Sequence, residues 1–310
     1  VGGNDAIAAG AGNDRIFGGK GNDTITAGDG ANIVYGHAGM DVITTGTGAD
    51  QIWAGDDADT VTAGAGSDTV DAGDGNDTVF AGDGNDQVWG GAGVDILWGG
   101  ANDDRLDGGA DRDTLHGEAG SDFIDGGAAS DVITGGVGND NIIGGTGNDS
   151  IDGGDDSDVI LADRGTIALS GGALAAGAMR SLGRDVLLES EVAGGPQAVA
   201  DGGDIVVGGS GDDWIFAQGG DDTVTGGLGA DDIVAGLGID TVDAGDGHDV
   251  VLGGDGRLWR TSGVIRNTDG TVRAPERALS LIPASADLTD RGDVILGGLG
   301  SDILYGQGGN

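Results

Sequence analysis

One residue type recurs at a fixed interval. Aspartate stands at Asp5, Asp14 and Asp23, then, after Asn32, at Asp41, Asp50, Asp59, Asp68, Asp77, Asp86, Asp95, Asp104, Asp113, Asp122, Asp131, Asp140, Asp149 and Asp158, one every nine residues. The spacing resumes at Asp204, Asp213, Asp222, Asp231, Asp240 and Asp249, and again at Asp293 and Asp302. A carboxylate is a hard anionic oxygen donor, so a regular row of them suits hard cations. With no cysteine and three scattered histidines, zinc lacks ligands. No HExxH, no G-x-S-x-G and no Ser/His pairing at meaningful spacing is present, so nothing points to catalysis. The glycine-rich loops precede no helix, which argues against a phosphate cradle.

The elements that position these carboxylates follow from the frame around them. Gly18–Thr26 reads GGKGNDTIT, or G-G-x-G-x-D-x-U-x with U aliphatic. The eighth position is Ile, Val or Leu in every repeat from Ile7 and Ile16 to Ile160. Positions seven to nine are β-favourable, and side chains alternate along a strand, so the aliphatic faces one way and its neighbours the other. Positions one to six read as a turn in which glycines supply φ > 0. Two repeats per coil would stack each strand on the one eighteen residues later, about 4.8 Å away. The expected fold is all-β: a parallel β-solenoid of two sheets with the aliphatics between them.

That stacking lines the carboxylates up in two columns, about 5 Å apart along each. They repel unless a cation sits between them. Calcium accepts about six to eight oxygens, carbonyls included, in flexible geometry, whereas magnesium wants a tighter octahedron. Eighteen turns in two columns leave sixteen gaps and the six-repeat block adds four, so about twenty divalent ions would carry about +40 against a formal charge of −41.

The frame resembles the nonapeptide of RTX (repeats-in-toxin) proteins, and the resemblance covers nearly all of the chain outside two interruptions. It implies a parallel β-roll with calcium between successive turns, held by the sixth-position aspartates named above and by turn carbonyls. It also implies export, unfolded, through a type I system and folding outside the cell. Some positions depart from the pattern. Asn32 should weaken the sites on either side of it. Asp57, Asn102, Asp111, Ala129 and Asp156 replace the fourth-position glycine and put the geometry of those turns in question. Alanine at the first position, as at Ala54, Ala63, Ala72 and Ala81, should matter little.

The chain divides by frame into a block of eighteen nonapeptides (residues 1–161), an insertion (162–198), a second block (199–256), a second insertion (257–287) and a third, truncated block (288–310). All three prolines and eight of the thirteen basic residues lie in the insertions. The sequences flanking the two insertions echo each other, giving a longer repeat of about 90 residues. Ala173–Leu182 could be a helical turn. The chain opens inside one repeat and stops inside another, which reads as part of a longer array. With 72 glycines and 4% aromatics it cannot build a thick layered core. The acidic balance disfavours nucleic acid, and no apolar run is long enough for membrane insertion.

On the outward ninth positions, Phe17, Tyr35, Trp53 and Trp89 share one side, interrupted by Asp71, while Phe80 and Trp98 share the other. They read as cross-strand packing or as a patch for a partner or for self-association. His37, His116 and His248 read as bystanders. The function expected is a calcium-dependent structural segment of a large secreted or cell-surface protein, an adhesin or an extracellular assembly. The alternative is the RTX secretion and folding portion of an exoenzyme or toxin whose catalytic domain lies elsewhere.

Overall fold

Each repeat contributes one strand, and in most coils the strand is longer than the three residues expected. It spans six, as in Gln87–Ala92 and Arg105–Ala110, taking in positions seven to nine and the next repeat's positions one to three. The ladder pairs Gln87 with Arg105, Val88 with Leu106 and Trp89 with Asp107. It skips position one and resumes at Gly91 with Gly109. Position one is therefore a corner within the strand, and the true turn shrinks to positions four to six. The computed structural model describes residues 2–163, 165–169, 179–181, 184–188, 202–236, 238–253, 257–259, 278–280, 294–300 and 303–305.

Alternate strands join different sheets. A 14-stranded parallel sheet begins with Ala6–Ala8, Thr24–Thr26 and Val42–Thr44, and is called sheet one below. A 13-stranded parallel sheet, sheet two, begins with Arg15–Lys20, Ile33–Ala38 and Gln51–Asp56. Register is in step at eighteen residues, with Ile25 on Ile43 and Val34 on Ile52. No helix occurs among the described residues, and so none is long and apolar enough to cross a membrane. The expected helical turn over 173–182 ends instead in a strand, Met179–Ser181; residues 170–178 lie outside the described residues.

Two positions of each repeat face inward, not one. The eighth-position aliphatics form a single core from Ile16 to Val251. First-position Ala27, Ala54, Ala63, Ala72, Ala81, Ala217, Ala235 and Ala244 join it, each fully buried. Alanine at position one is thus core. Where the corner is glycine, space has run out: a Cβ on Gly108 would lie 2.7 Å from Oδ2 of Asp113 and 2.6 Å from the Gly126 carbonyl oxygen.

The turns that lack the fourth-position glycine still close through a positive φ. Asp57, Asn102, Asp111, Ala129 and Asp156 hold φ between 72° and 83°, the left-handed region that glycine would have supplied. Asp and Asn enter that region more readily than other side chains.

The stack passes over the insertions. Ile151 pairs with Val206, a separation of 55 instead of 18, so 37 residues leave the roll and rejoin it. Val242 pairs with Ile295, a separation of 53, so the second excursion holds 35. The first contains an antiparallel set of Gly165–Leu169, Arg184–Leu188 and Met179–Ser181, and the second pairs Arg257–Trp259 with Ala278–Ser280. Gly165–Leu169 runs against Asn141–Thr146, and Arg257–Trp259 against Asp232–Val234. Here the outer face of sheet two is covered. Ile143, Val159, Leu161, Trp214, Phe216, Val234, Val250 and Leu252 form a second buried cluster outside the roll.

Candidate metal centre

The short turn delivers each sixth-position residue to the same point on the roll. Its backbone carbonyl and its N–H both bond to the next coil. The Asp23 carbonyl accepts from Val42 N–H at 2.9 Å, and the Asp23 N–H donates to Oδ1 of Asp41 at 2.7 Å. The second bond repeats along both columns. From Asp5 to Asp231, each sixth-position N–H donates to the Oδ1 one coil on, at 2.6–3.0 Å. It crosses the first excursion without a break, from Asp149 to Asp204 and from Asp158 to Asp213.

The ladder satisfies one carboxylate oxygen and strands the other. From Asp23 to Asp249 the sixth-position side chains are at most 4% exposed. Oδ2 of Asp14, Asp23, Asp41, Asp50, Asp59, Asp68, Asp77, Asp86, Asp95, Asp104, Asp113, Asp122, Asp131, Asp149, Asp213 and Asp222 is buried without a hydrogen-bond donor. A buried carboxylate oxygen without a partner is strongly destabilising, and here the defect repeats in nearly every coil. Carbonyl oxygens stand nearby: the point where a Gly18 Cβ would lie is 2.5 Å from Oδ2 of Asp23 and 2.9 Å from the Gly36 oxygen. Among the described residues no three acidic or histidine side chains converge on one point. A cation here would therefore draw on one or two carboxylates and fill its shell with carbonyls, a donor set that suits calcium.

The electrostatics carry the same message. Burial pushes the carboxyls of Asp59, Asp68, Asp113, Asp122, Asp131 and Asp231 up to about 7. Those of Asp104 and Asp222 rise to about 8. The hydrogen bond from the preceding aspartate's N–H pulls each down, and neighbouring carboxylates in the column push it up again, as Asp77 and Asp41 do to Asp59. Without a cation these groups would hold protons near neutral pH.

The columns thus gather the aspartates from Asp14 to Asp249, while Asp5 lies exposed at the open end of its column. Asp293 and Asp302 lie outside the described residues. A second ladder was not anticipated. Fifth-position side chains accept from the fifth-position N–H of the next coil at 2.8–3.2 Å, as Asn4 does from Asn22, Asn76 from Val94 and Asp212 from Ala230. The frequency of Asn, Ser and Asp at position five was its signal.

A family model described as the RTX calcium-binding nonapeptide repeat (4 copies) matches residues 1–34, 35–70, 62–97, 71–106, 98–133, 134–166, 200–233, 225–257 and 288–310. The chain belongs to this RTX family. It is thereby a calcium-binding structural repeat region, built as a parallel β-roll. No curated protein matches it. Among solved structures, a hyperactive, Ca2+-dependent, β-helical antifreeze protein from an Antarctic bacterium is similar, with a TM-score of 0.47 and 18% identity over 80% of this RTX chain and 83% of that one.

The outward aromatics of the RTX roll divide. Phe17, Tyr35 and Trp53 stack face to face, with ring centroids 5.1 and 4.9 Å apart. The Arg15 guanidinium lies over Phe17 and Tyr35, and His37 stacks beside them. On sheet one, Phe80, Trp98 and His116 form a second stack at 4.5 and 5.5 Å. His37 and His116 are thus members of these stacks. Trp89 stands apart, in register with Asp71 and Asp107. Within the stacks the ring faces are spent on one another, leaving mainly edges to solvent.

Proposed function

We propose that the chain is a calcium-dependent structural segment of a large secreted or cell-surface protein, an adhesin or an extracellular assembly, that folds on binding calcium after export. One observation carries this reading: two columns of buried aspartates, in sixteen of which, from Asp14 to Asp222, the second oxygen has no hydrogen-bond donor. The ligands are the sixth-position aspartates, with turn carbonyls completing the shell, and the number of ions is about twenty. A chain of charge −41 repels itself when the ions are absent. The low-calcium interior of a cell would keep it unfolded and the outside would fold it. The long parallel stack then serves as a stiff spacer, and Phe17, Tyr35 and Trp53 offer an apolar edge for self-association or a partner surface.

Small-angle scattering with and without calcium tests this reading. An expanded chain in chelator should become an elongated rod at millimolar calcium. Equal radii of gyration in the two conditions would refute calcium-coupled folding.

A further inference from the structure

Residue 32 solves the stranded-oxygen problem differently. Asn32 is 1% exposed and keeps the ladder on both sides. Its Oδ1 accepts from Asp14 N–H at 3.0 Å, and its own N–H donates to Oδ1 of Asp50 at 2.6 Å. With Oδ1 anchored as in every aspartate coil, Nδ2 takes the role of the stranded Oδ2. It is not stranded: it donates to the Gly28 carbonyl at 3.0 Å and to the Gly30 carbonyl at 2.8 Å. Both amide hydrogens are used, and the two acceptors are the second- and fourth-position carbonyls of its own turn.

We propose that Asn32 is a metal-free closure built into the calcium column. The amide supplies two hydrogens where the aspartate coils require a positive ion, and it spends both on carbonyls of its own turn. This goes further than a weakened site. A carboxylate presents only acceptors to those carbonyls, while the amide presents donors and leaves the turn satisfied with no ion at all. The coil around Asn32 then gains little from calcium and tolerates its removal better than the aspartate coils above and below. The inference rests on the proposed calcium role of the aspartate columns.

The test compares the whole chain with Asn32→Asp and Asp86→Asn. Bound calcium per chain is measured after dialysis at saturating calcium, and the calcium midpoint of folding by far-UV circular dichroism. Asn32→Asp should bind more calcium than the native chain and shift its midpoint to higher calcium, since a satisfied turn has become a stranded one. Asp86→Asn should bind less and shift its midpoint to lower calcium. Unchanged calcium content and midpoint in Asn32→Asp would overturn the proposal. So would failure of that variant to fold at saturating calcium, because it recreates the turn used by the other coils. A native chain that neither binds calcium nor folds with it would instead defeat the calcium reading itself.

Discussion

One column of outward side chains runs along sheet two and changes character from end to end. It begins with Phe17, Tyr35 and Trp53 and later runs through Ile143, Leu161, Phe216, Val234 and Leu252, all in register. At the first end Phe17 is 51% exposed, while at the other Phe216 is fully buried. Between them stand Asp71, Trp89, Asp107 and Asp125, which break the apolar run. The aspartate ladder is the same throughout. The first half has the thin inner core, its hydrogen-bond ladders and two short aromatic stacks to hold it, and no outer core among the described residues. The second half has the same inner core and ladders and an outer core, where the excursion strands lie. The outer core depends on no cation.

Calcium removal should expose that difference most strongly. As chelator is titrated, amide exchange protection in Thr60–Ala65 and Ile96–Ala101 should be lost at a higher free calcium than protection in Thr223–Gly229. Simultaneous loss along the whole roll would mean that the outer core adds nothing.

The pH response is the next largest effect. In the metal-free chain, carboxyls such as Asp59 and Asp122 ionise at about 7 instead of 3.8 because burial disfavours their charge. A raised folded pKa stabilises the fold fully below the unfolded value, and that stability is lost as pH rises through the folded value. Between pH 4 and 8, metal-free β structure should therefore decline as pH rises, while calcium-loaded protein stays folded at pH 8. Circular dichroism at both pH values, with and without chelator, checks this; a metal-free signal that grows with pH would contradict it.

Substitutions sharpen the contrast residue by residue. Trp214→Ala empties the largest buried site of the outer core and should cost about 3–5 kcal/mol. Exchange protection should fall in the second half and be spared in Thr60–Ala65. Gly108→Ala places a methyl against Asp113 and a backbone oxygen, and should cost about 1–3 kcal/mol; the calcium midpoint should rise in proportion. Trp53→Ala removes one stacked ring from the uncovered end and should cost about 0.5–1.5 kcal/mol, with no change in bound calcium. Thermal unfolding at fixed calcium would rank the three.

The roll itself was legible in the sequence. A period of nine with one aliphatic per repeat admits two repeats to a coil, and the observed pairing of Ile25 with Ile43 follows from it. The strand length was not, because glycine at positions one to three reads as turn whether or not a neighbouring coil pairs with it. The inward face of position one was hidden for the same reason, since glycine has no side chain to betray its direction. The outer core left a signal. Val159–Leu161, Trp214–Phe216 and Val250–Leu252 are apolar at three successive positions, whereas a strand with one wet face should alternate. The satisfied amide of Asn32 needed coordinates, because composition shows the substitution and not where its hydrogens go.

On the proposed reading, the buried carboxylates of the columns require calcium specifically. Far-UV circular dichroism of the whole chain at neutral pH tests it most directly, with calcium and then magnesium titrated into chelated protein. The account predicts a disordered spectrum in chelator, cooperative recovery of β signal with calcium and little recovery with magnesium at equal concentration. A β spectrum that persists in chelator, or that magnesium restores as well as calcium does, would contradict it.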